Sequence, residues 1–297
     1  MGAVMVSTAG KVSGRVRTER SELSISDFQK EMERLEDGSE STNILIHGDS
    51  NVGKTVLAGT CPGRTFWLVG EPGYKSAGRQ GARGLAHKIG DTATALAAVD
   101  WLNASPKGKR QPRYELLDWV VLDGLSTMQD RFRLGYAAEA FDINPEKRQH
   151  RNLPDKPDYF NTQNFLKSWI PQLVDMPVNL LITAHTYRTD ETDNGELLVY
   201  PGIQGKVNET SNAVSGLMDV TGYMERRRIR IQDSEDTKEI RRIWFSSPER
   251  KSKRDADVRY ICGDKFNALG KYIDLPDVNE ELPERWGVPY MMDKIAA

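Results

Sequence analysis

The stretch Asn43-Ile44-Leu45-Ile46-His47-Gly48-Asp49-Ser50-Asn51-Val52-Gly53-Lys54-Thr55-Val56-Leu57 decides the fold. Ile44, Leu45 and Ile46 form an unbroken apolar run, the pattern of a strand covered on both faces. Gly48 to Thr55 then matches G-x-x-x-x-G-K-[ST], the phosphate-binding P-loop. Its glycines let the backbone wrap closely enough to aim N–H groups at phosphate oxygens. A helix opening at Lys54 adds its positive N-terminal end. The expected nucleotide ligands are therefore Gly48, Asp49, Ser50, Asn51, Val52, Gly53, Lys54 and Thr55. Lys54 is suited to bridging the β and γ phosphates and the Thr55 hydroxyl to binding a metal, so ATP and Mg²⁺ are the expected cofactors.

The 297 residues suffice for one large α/β domain with appendages. A formal charge of −2 excludes a globally basic nucleic-acid coat, so any such contact must come from local patches. The two cysteines, Cys61 and Cys262, lie in no metal spacing and suit a reducing compartment. No apolar run approaches the roughly 18 residues of a membrane span. The N-terminus has no signal-peptide pattern.

Residues 1–40 read as a polar tail followed by a short amphipathic helix, with Ile25, Phe28, Met32 and Leu35 at helical spacing. Residues 41–278 read as one domain in which strands and helices alternate, the signature of a parallel sheet with covered faces. Thr65–Val69, Trp119–Asp123 and Val178–Ala184 are expected strands, and Asp91–Leu102, Leu125–Ala140 and Asn164–Val174 expected helices. Two long polar connections are expected at Phe141–Pro157 and Thr186–Val207. Val220–Ile231, Ile240–Phe245 and Val258–Cys262 read as antiparallel strands, and 279–297 as a C-terminal tail.

Ligands of such sheets bind beyond the carboxyl ends of the strands, so chemistry is sought there. Asp123 ends an apolar run and is placed to share a metal shell with Thr55. Glu71 follows the neighbouring strand and could orient the water that attacks the γ-phosphate, with Asp49 the lesser alternative. His185 ends a further strand, where a polar group could sense the γ-phosphate. His47, His87 and His150 read as structural.

P-loop, strand-end acid, hhhhD and a strand ending Thr183-Ala184-His185, in this order, resemble the RecA-like ATPase core. More narrowly, the chain is similar to phage RecA-like ATPases associated with single-strand annealing proteins. The similarity spans about residues 41–278 and rests also on Leu122-Asp123-Gly124-Leu125-Ser126, on Pro201-Gly202-Ile203-Gln204-Gly205-Lys206, and on Asp219-Val220 before Gly222-Tyr223-Met224. It implies an α/β fold: a RecA-like P-loop NTPase core with a mostly parallel central sheet, a C-terminal antiparallel β extension and a short N-terminal helix.

By that resemblance Lys54 and Thr55 hold phosphate and Mg²⁺, Asp123 is the Walker B acid, Glu71 the catalytic glutamate and His185 the polar sensor. A basic finger reaching a neighbour's nucleotide would fall at Gly263-Asp264-Lys265-Phe266-Asn267, where Lys265 stands in place of the usual arginine and the first basic residue is missing. Lysine is a point charge, not a bidentate fork. Single-stranded DNA contacts are implied in the two long connections. Lys147, Arg148, Arg151 and Tyr159 mix cations with an aromatic in the first. Arg188 and Lys206 lie in the second, among Asp190, Glu191, Asp193 and Glu196. Basic runs at Arg226, Arg228 and Arg230 and at Arg250–Arg254 are further surfaces, with a charge-guarded edge hairpin as the plain alternative. The implied setting is recombination or replication in the cytoplasm of a bacterial host. The implied partners are single-stranded DNA, further copies in a ring or filament, and a single-strand annealing or single-strand binding protein. Other readings are a replicative-helicase-like or packaging motor, a P-loop nucleotide kinase, and a scaffold that binds ATP without turnover.

Overall fold

A computed structural model of the protein describes residues 41–189, 197–205, 209–230, 237–247, 258–275 and 286–297. The expected N-terminal helix, Lys206, the acids of 190–196 and the Arg250–Arg254 run lie outside the described residues.

Apolar runs without polar alternation have to be covered on both faces, and here they make the centre of one sheet. These are β1 (Asn43–Gly48), β2 (Thr65–Val69), β4 (Trp119–Asp123) and β5 (Asn179–Ala184), all but fully buried. β3 (Leu85–Lys88) and β8 (Val220–Arg230) extend them, and the parallel strands run in the order β8-β1-β5-β4-β2-β3. Past β8 the sheet turns antiparallel through β9 (Thr237–Trp244) and β12 (Tyr272–Leu275), with the short β11 (Gly263–Asp264) also on β8. The expected mostly parallel central sheet with a C-terminal antiparallel extension is thus present.

Side chains alternate between the two faces with the period of a strand. Leu45, Val120, Leu122 and Ile182 pack with Phe132 and Trp169 under α3 (Thr92–Asn103), α4 (Leu125–Ile143) and α5 (Lys156–Val174). Ile44, Ile46, Val121 and Leu181 pack on the other face with residues of α1 (Lys54–Ala58) and α2 (Tyr74–Arg79). That second cluster includes Trp286, Val288 and Met291 around α7 (Val288–Ala296), a helix within the stretch read from the sequence as a tail. The Val288 N–H donates to Thr60 Oγ1 at 2.8 Å.

Three other segments differ from the expectation. The first long connection is shorter than its polarity suggested, because α5 starts at Lys156, where the Asp158 carboxylate accepts the Asp155 N–H at 2.8 Å. Tyr159 and Phe160 are therefore helical. The second connection contains the antiparallel pair β6 (Thr186–Thr189) and β7 (Leu197–Pro201), followed by α6 (Thr210–Leu217). β10 (Val258–Tyr260) pairs parallel with β7 in this separate three-stranded sheet and not with the antiparallel extension. Among the described residues no helix is long and apolar enough to cross a membrane.

Candidate nucleotide site

β1 delivers the chain to Gly48 and α1 takes it up at Lys54, with Gly53 in the left-handed region (φ 109°). The Lys54 ammonium donates to the carbonyls of Gly48 and Asp49, each at 2.8 Å. Burial lowers its pKa, while Glu71, Asp123 and Asp49 oppose that.

Asp123 is 2% exposed and surrounded by hydroxyls. Thr55 Oγ1 lies 3.0 and 3.2 Å from its two carboxylate oxygens. Thr183 donates to Oδ1 at 2.7 Å and accepts the Gly124 N–H at 2.9 Å, so the β5 hydroxyl fixes both the acid and the turn that follows it. Burial pushes the Asp123 carboxyl up and the Thr183 and Thr55 hydroxyls pull it down. A buried carboxylate beside a hydroxyl is a hard-oxygen pair that fits Mg²⁺, with Thr55 and Asp123 as its holders. No group of three or more His, Cys, Asp or Glu is placed to hold a metal among the described residues.

Glu71 and His185, 114 residues apart in sequence, meet here: His185 Nε2–H donates to Glu71 Oε1 at 3.0 Å. Thr127, in the first turn of α4, donates to the same oxygen. The His185 hydrogen bond, with Thr127, holds the Glu71 carboxyl down from 4.5 to about 2 against the opposing effect of burial. Gly124 is needed for this approach. Its φ is 87°, and a Cβ there would lie 3.2–3.3 Å from the Glu71 side chain.

The backbone of His185 is tied in turn. Its N–H donates to Ser126 Oγ at 2.9 Å, and its carbonyl accepts the Gly202 N–H at 2.6 Å. Ser126 Oγ and Gln129 Nε2 both donate to the Gly202 carbonyl at 2.8 Å, and Gln129 Oε1 accepts the Gln204 N–H at 2.6 Å. Gly202 to Gln204 is thereby strapped to α4 and to the strand end that carries His185.

Three arginines flank the P-loop. Arg188 of β6 pairs with Asp49 at 2.6 Å and donates to the Tyr223 hydroxyl at 3.4 Å. Arg226 of β8 donates to the Asn51 carbonyl. Arg241 of β9 lies against Gly53, its Cδ 3.3 Å from where a Cβ would stand. A cavity of about 250 Å³ is lined by Ser50–Asn51, Gly53–Val56, Glu71, Asp123, Thr183–His185 and Arg241 among others. A larger open groove of about 710 Å³ along α4 and α5 has no P-loop residue in its lining.

Lys54, Thr55, Asp123, Glu71 and His185 thus converge on one cavity, and Asp49 and Arg188 meet beside it. Lys265 is elsewhere. Asp264 pairs with Val220 at the start of β8, before Met224, which stands beside Gly48, and the Lys265 ammonium donates to the Gly216 carbonyl at 3.0 Å. In the first connection Arg148 is bidentate to Asp158 at 2.5 and 3.0 Å, and Arg151 to Asp142 at 2.9 and 2.8 Å. The Tyr159 ring lies 4.9 Å from the Arg133 guanidinium, and Lys147 is exposed. Sequence reasoning missed Thr127, Thr183 as an orienting group, and Arg241. Thr127 was detectable as the residue one helical turn beyond Asp123. Nothing local marks Arg241, which is brought in by its strand partner.

A family model described as an AAA domain matches residues 40–254. No curated protein matches the chain. Among solved structures, the KaiC-like protein PH0186 from the hyperthermophilic archaeon Pyrococcus horikoshii OT3 is similar over 68% of this chain and 77% of that one, at 10% identity and a TM-score of 0.37.

Proposed function

The chain belongs to the AAA domain family of P-loop ATPases, and from that premise we propose that it hydrolyses ATP with Mg²⁺ and couples turnover to single-stranded DNA. The observation that carries the coupling is the run of contacts from Glu71 through His185 to Gly202.

In this reading Lys54 exchanges the carbonyls of Gly48 and Asp49 for β and γ phosphate oxygens. Asp123 and Thr55 hold Mg²⁺, which when bound neutralises charge on the phosphates. Glu71 is a carboxylate throughout the neutral range and accepts a hydrogen bond from the attacking water, orienting it more than storing its proton. Its place in the lining of the Lys54 cavity favours turnover over a scaffold that only binds. His185 has its Nε2–H on Glu71, and a γ-phosphate oxygen competes for that proton donor. Any shift of His185 pulls on Gly202 through a 2.6 Å backbone bond, and so on β7 and the second long connection that carries it. The DNA surface we assign to that connection includes Arg188 and Lys206. Assembly into a ring or filament, with Lys265 acting on a neighbour's nucleotide, and a role in phage recombination or replication beside an annealing or single-strand binding protein complete the reading.

Steady-state ATP hydrolysis with and without single-stranded DNA tests it. The wild type is expected to be stimulated by DNA, and Lys54→Ala to have no turnover in either condition. Full turnover by Lys54→Ala would overturn the site. Hydrolysis indifferent to DNA would overturn the coupling.

A further inference from the structure

Among the described residues Arg241 is the one lining residue of the nucleotide cavity drawn from the antiparallel extension; the others come from the P-loop region, the strand ends of the parallel core and the start of α2. Its Nε is buried and has no hydrogen-bond partner, and it forms no ion pair among the described residues. A guanidinium N–H kept from water without an acceptor is costly, and the acceptor that best offsets this is an anion.

Strand pairing makes the position more unusual. Along the β8–β9 hairpin, Glu225 stands opposite Arg242 and Arg228 opposite Glu239, so charges are matched. At one register step they are not: Arg226 stands opposite Arg241. Like charges directly opposite on an antiparallel pair repel. Arg226 relieves itself on the Asn51 carbonyl and, at 3.6 Å, on Glu239. Among the described residues Arg241 has no such outlet. The unmatched step falls where the hairpin runs past the P-loop, against Gly53.

We propose that Arg241 is a phosphate ligand supplied in cis by β9, a second cation beside Lys54 that binds the polyphosphate of the nucleotide. This deepens the ATPase reading and rests on it. The side chain is a fork of fixed donors, fitted to two oxygens of a phosphate at once. In the absence of an anion the Arg226–Arg241 step opposes the hairpin; with the polyphosphate bound the same two charges hold it closed over the P-loop.

The test is equilibrium binding, without turnover, of ATP, ADP and adenosine to the wild type, Arg241→Ala, Arg241→Lys and Lys54→Ala, with thermal melting of each. Arg241→Ala is expected to weaken ATP and ADP by about tenfold to a hundredfold, as loss of a charge-assisted contact does, and to leave adenosine unchanged. Arg241→Lys should recover part of the loss. Melting of Arg241→Ala without ligand should be no lower than that of the wild type, because a repulsion is removed, while the ATP-induced rise in Tm shrinks. Wild-type affinity in Arg241→Ala, alongside lost affinity in Lys54→Ala, would overturn the proposal and keep the nucleotide site. A matching loss for adenosine would move Arg241 to the base and overturn the phosphate assignment. A lowered ligand-free Tm with an undiminished ATP-induced rise would make Arg241 structural. Failure of the wild type to bind ATP or ADP would overturn both this proposal and the reading beneath it.

Discussion

Both long polar connections were expected from the sequence to touch DNA, the first mixing cations with an aromatic and the second setting Arg188 and Lys206 among acids, and the fold treats them in opposite ways. In the first, charge is spent at home: Arg148 on Asp158 and Arg151 on Asp142. Asp158 is 1% exposed, so its pair with Arg148 serves the start of α5. In the second, contacts lead inward. Gly202 is bonded to His185 and to two side chains of α4, and Arg188 reaches Asp49 in the P-loop. A basic loop is therefore a weak indicator of a ligand surface until its counter-charges are known. What separates the two is whether the partners of the loop lie in its own flanking helices or in the site.

The sharpest way to break this contrast is at its source. Glu71→Gln keeps the shape of the side chain but removes the carboxylate that His185 and Thr127 address. ATP hydrolysis should fall by about 10²–10⁴-fold in a steady-state assay, with ATP affinity within about threefold of the wild type. An undiminished rate would remove Glu71 from the chemistry. Next in size is the strap. Gln129→Leu leaves the Gly202 carbonyl with one donor fewer and the Gln204 N–H unpartnered, at a cost of about 1–3 kcal/mol in thermal or denaturant unfolding. Basal hydrolysis should survive within a few-fold while stimulation by single-stranded DNA is lost; Arg151→Ala, in the other connection, should keep that stimulation. Equal losses in both variants would mean that the two connections do not differ in their coupling to DNA.

The smallest effect is on pH dependence. The folded pKa of Glu71 is held down from 4.5 to about 2. Its contribution to stability is thus complete above about 4.5 and is lost as pH falls toward 2. Acid titration of unfolding should show the wild type losing more stability across that window than Glu71→Gln does. Parallel curves would mean that His185 and Thr127 do not stabilise the carboxylate.

Much of the core was legible because its signals are local. The β1 run, the Gly48–Thr55 loop and Trp119–Asp123 are contiguous, and each carries its own pattern. The start of α5 was legible too, in Asp155 followed by Pro157 and Asp158, but the surrounding cations masked it. The helix at Val288 was hidden in the same way: Val288, Met291, Met292 and Ile295 have helical spacing, yet an acidic, proline-containing stretch precedes them. Arg241 was illegible for a different reason. Its position depends on which residue of β8 it faces, and register between distant strands is written in no single segment. The partnership of β10 with β7 is of the same kind.

One consequence of β5 lying between β1 and β4 concerns length. Ile182 and Ala184 face the apolar cluster under α4 and α5, while Thr183 touches Asp123 and His185 touches Glu71. The strand end works as a ruler with chemistry marked on one edge and grease on the other. Deleting or inserting a single residue upstream of Thr183 would turn that ruler over. It would offer the two acids only methyl and sec-butyl groups, and would press a hydroxyl and an imidazole into hydrocarbon. The active chemistry of this protein is thus gauged by residue count along one strand as much as by residue identity.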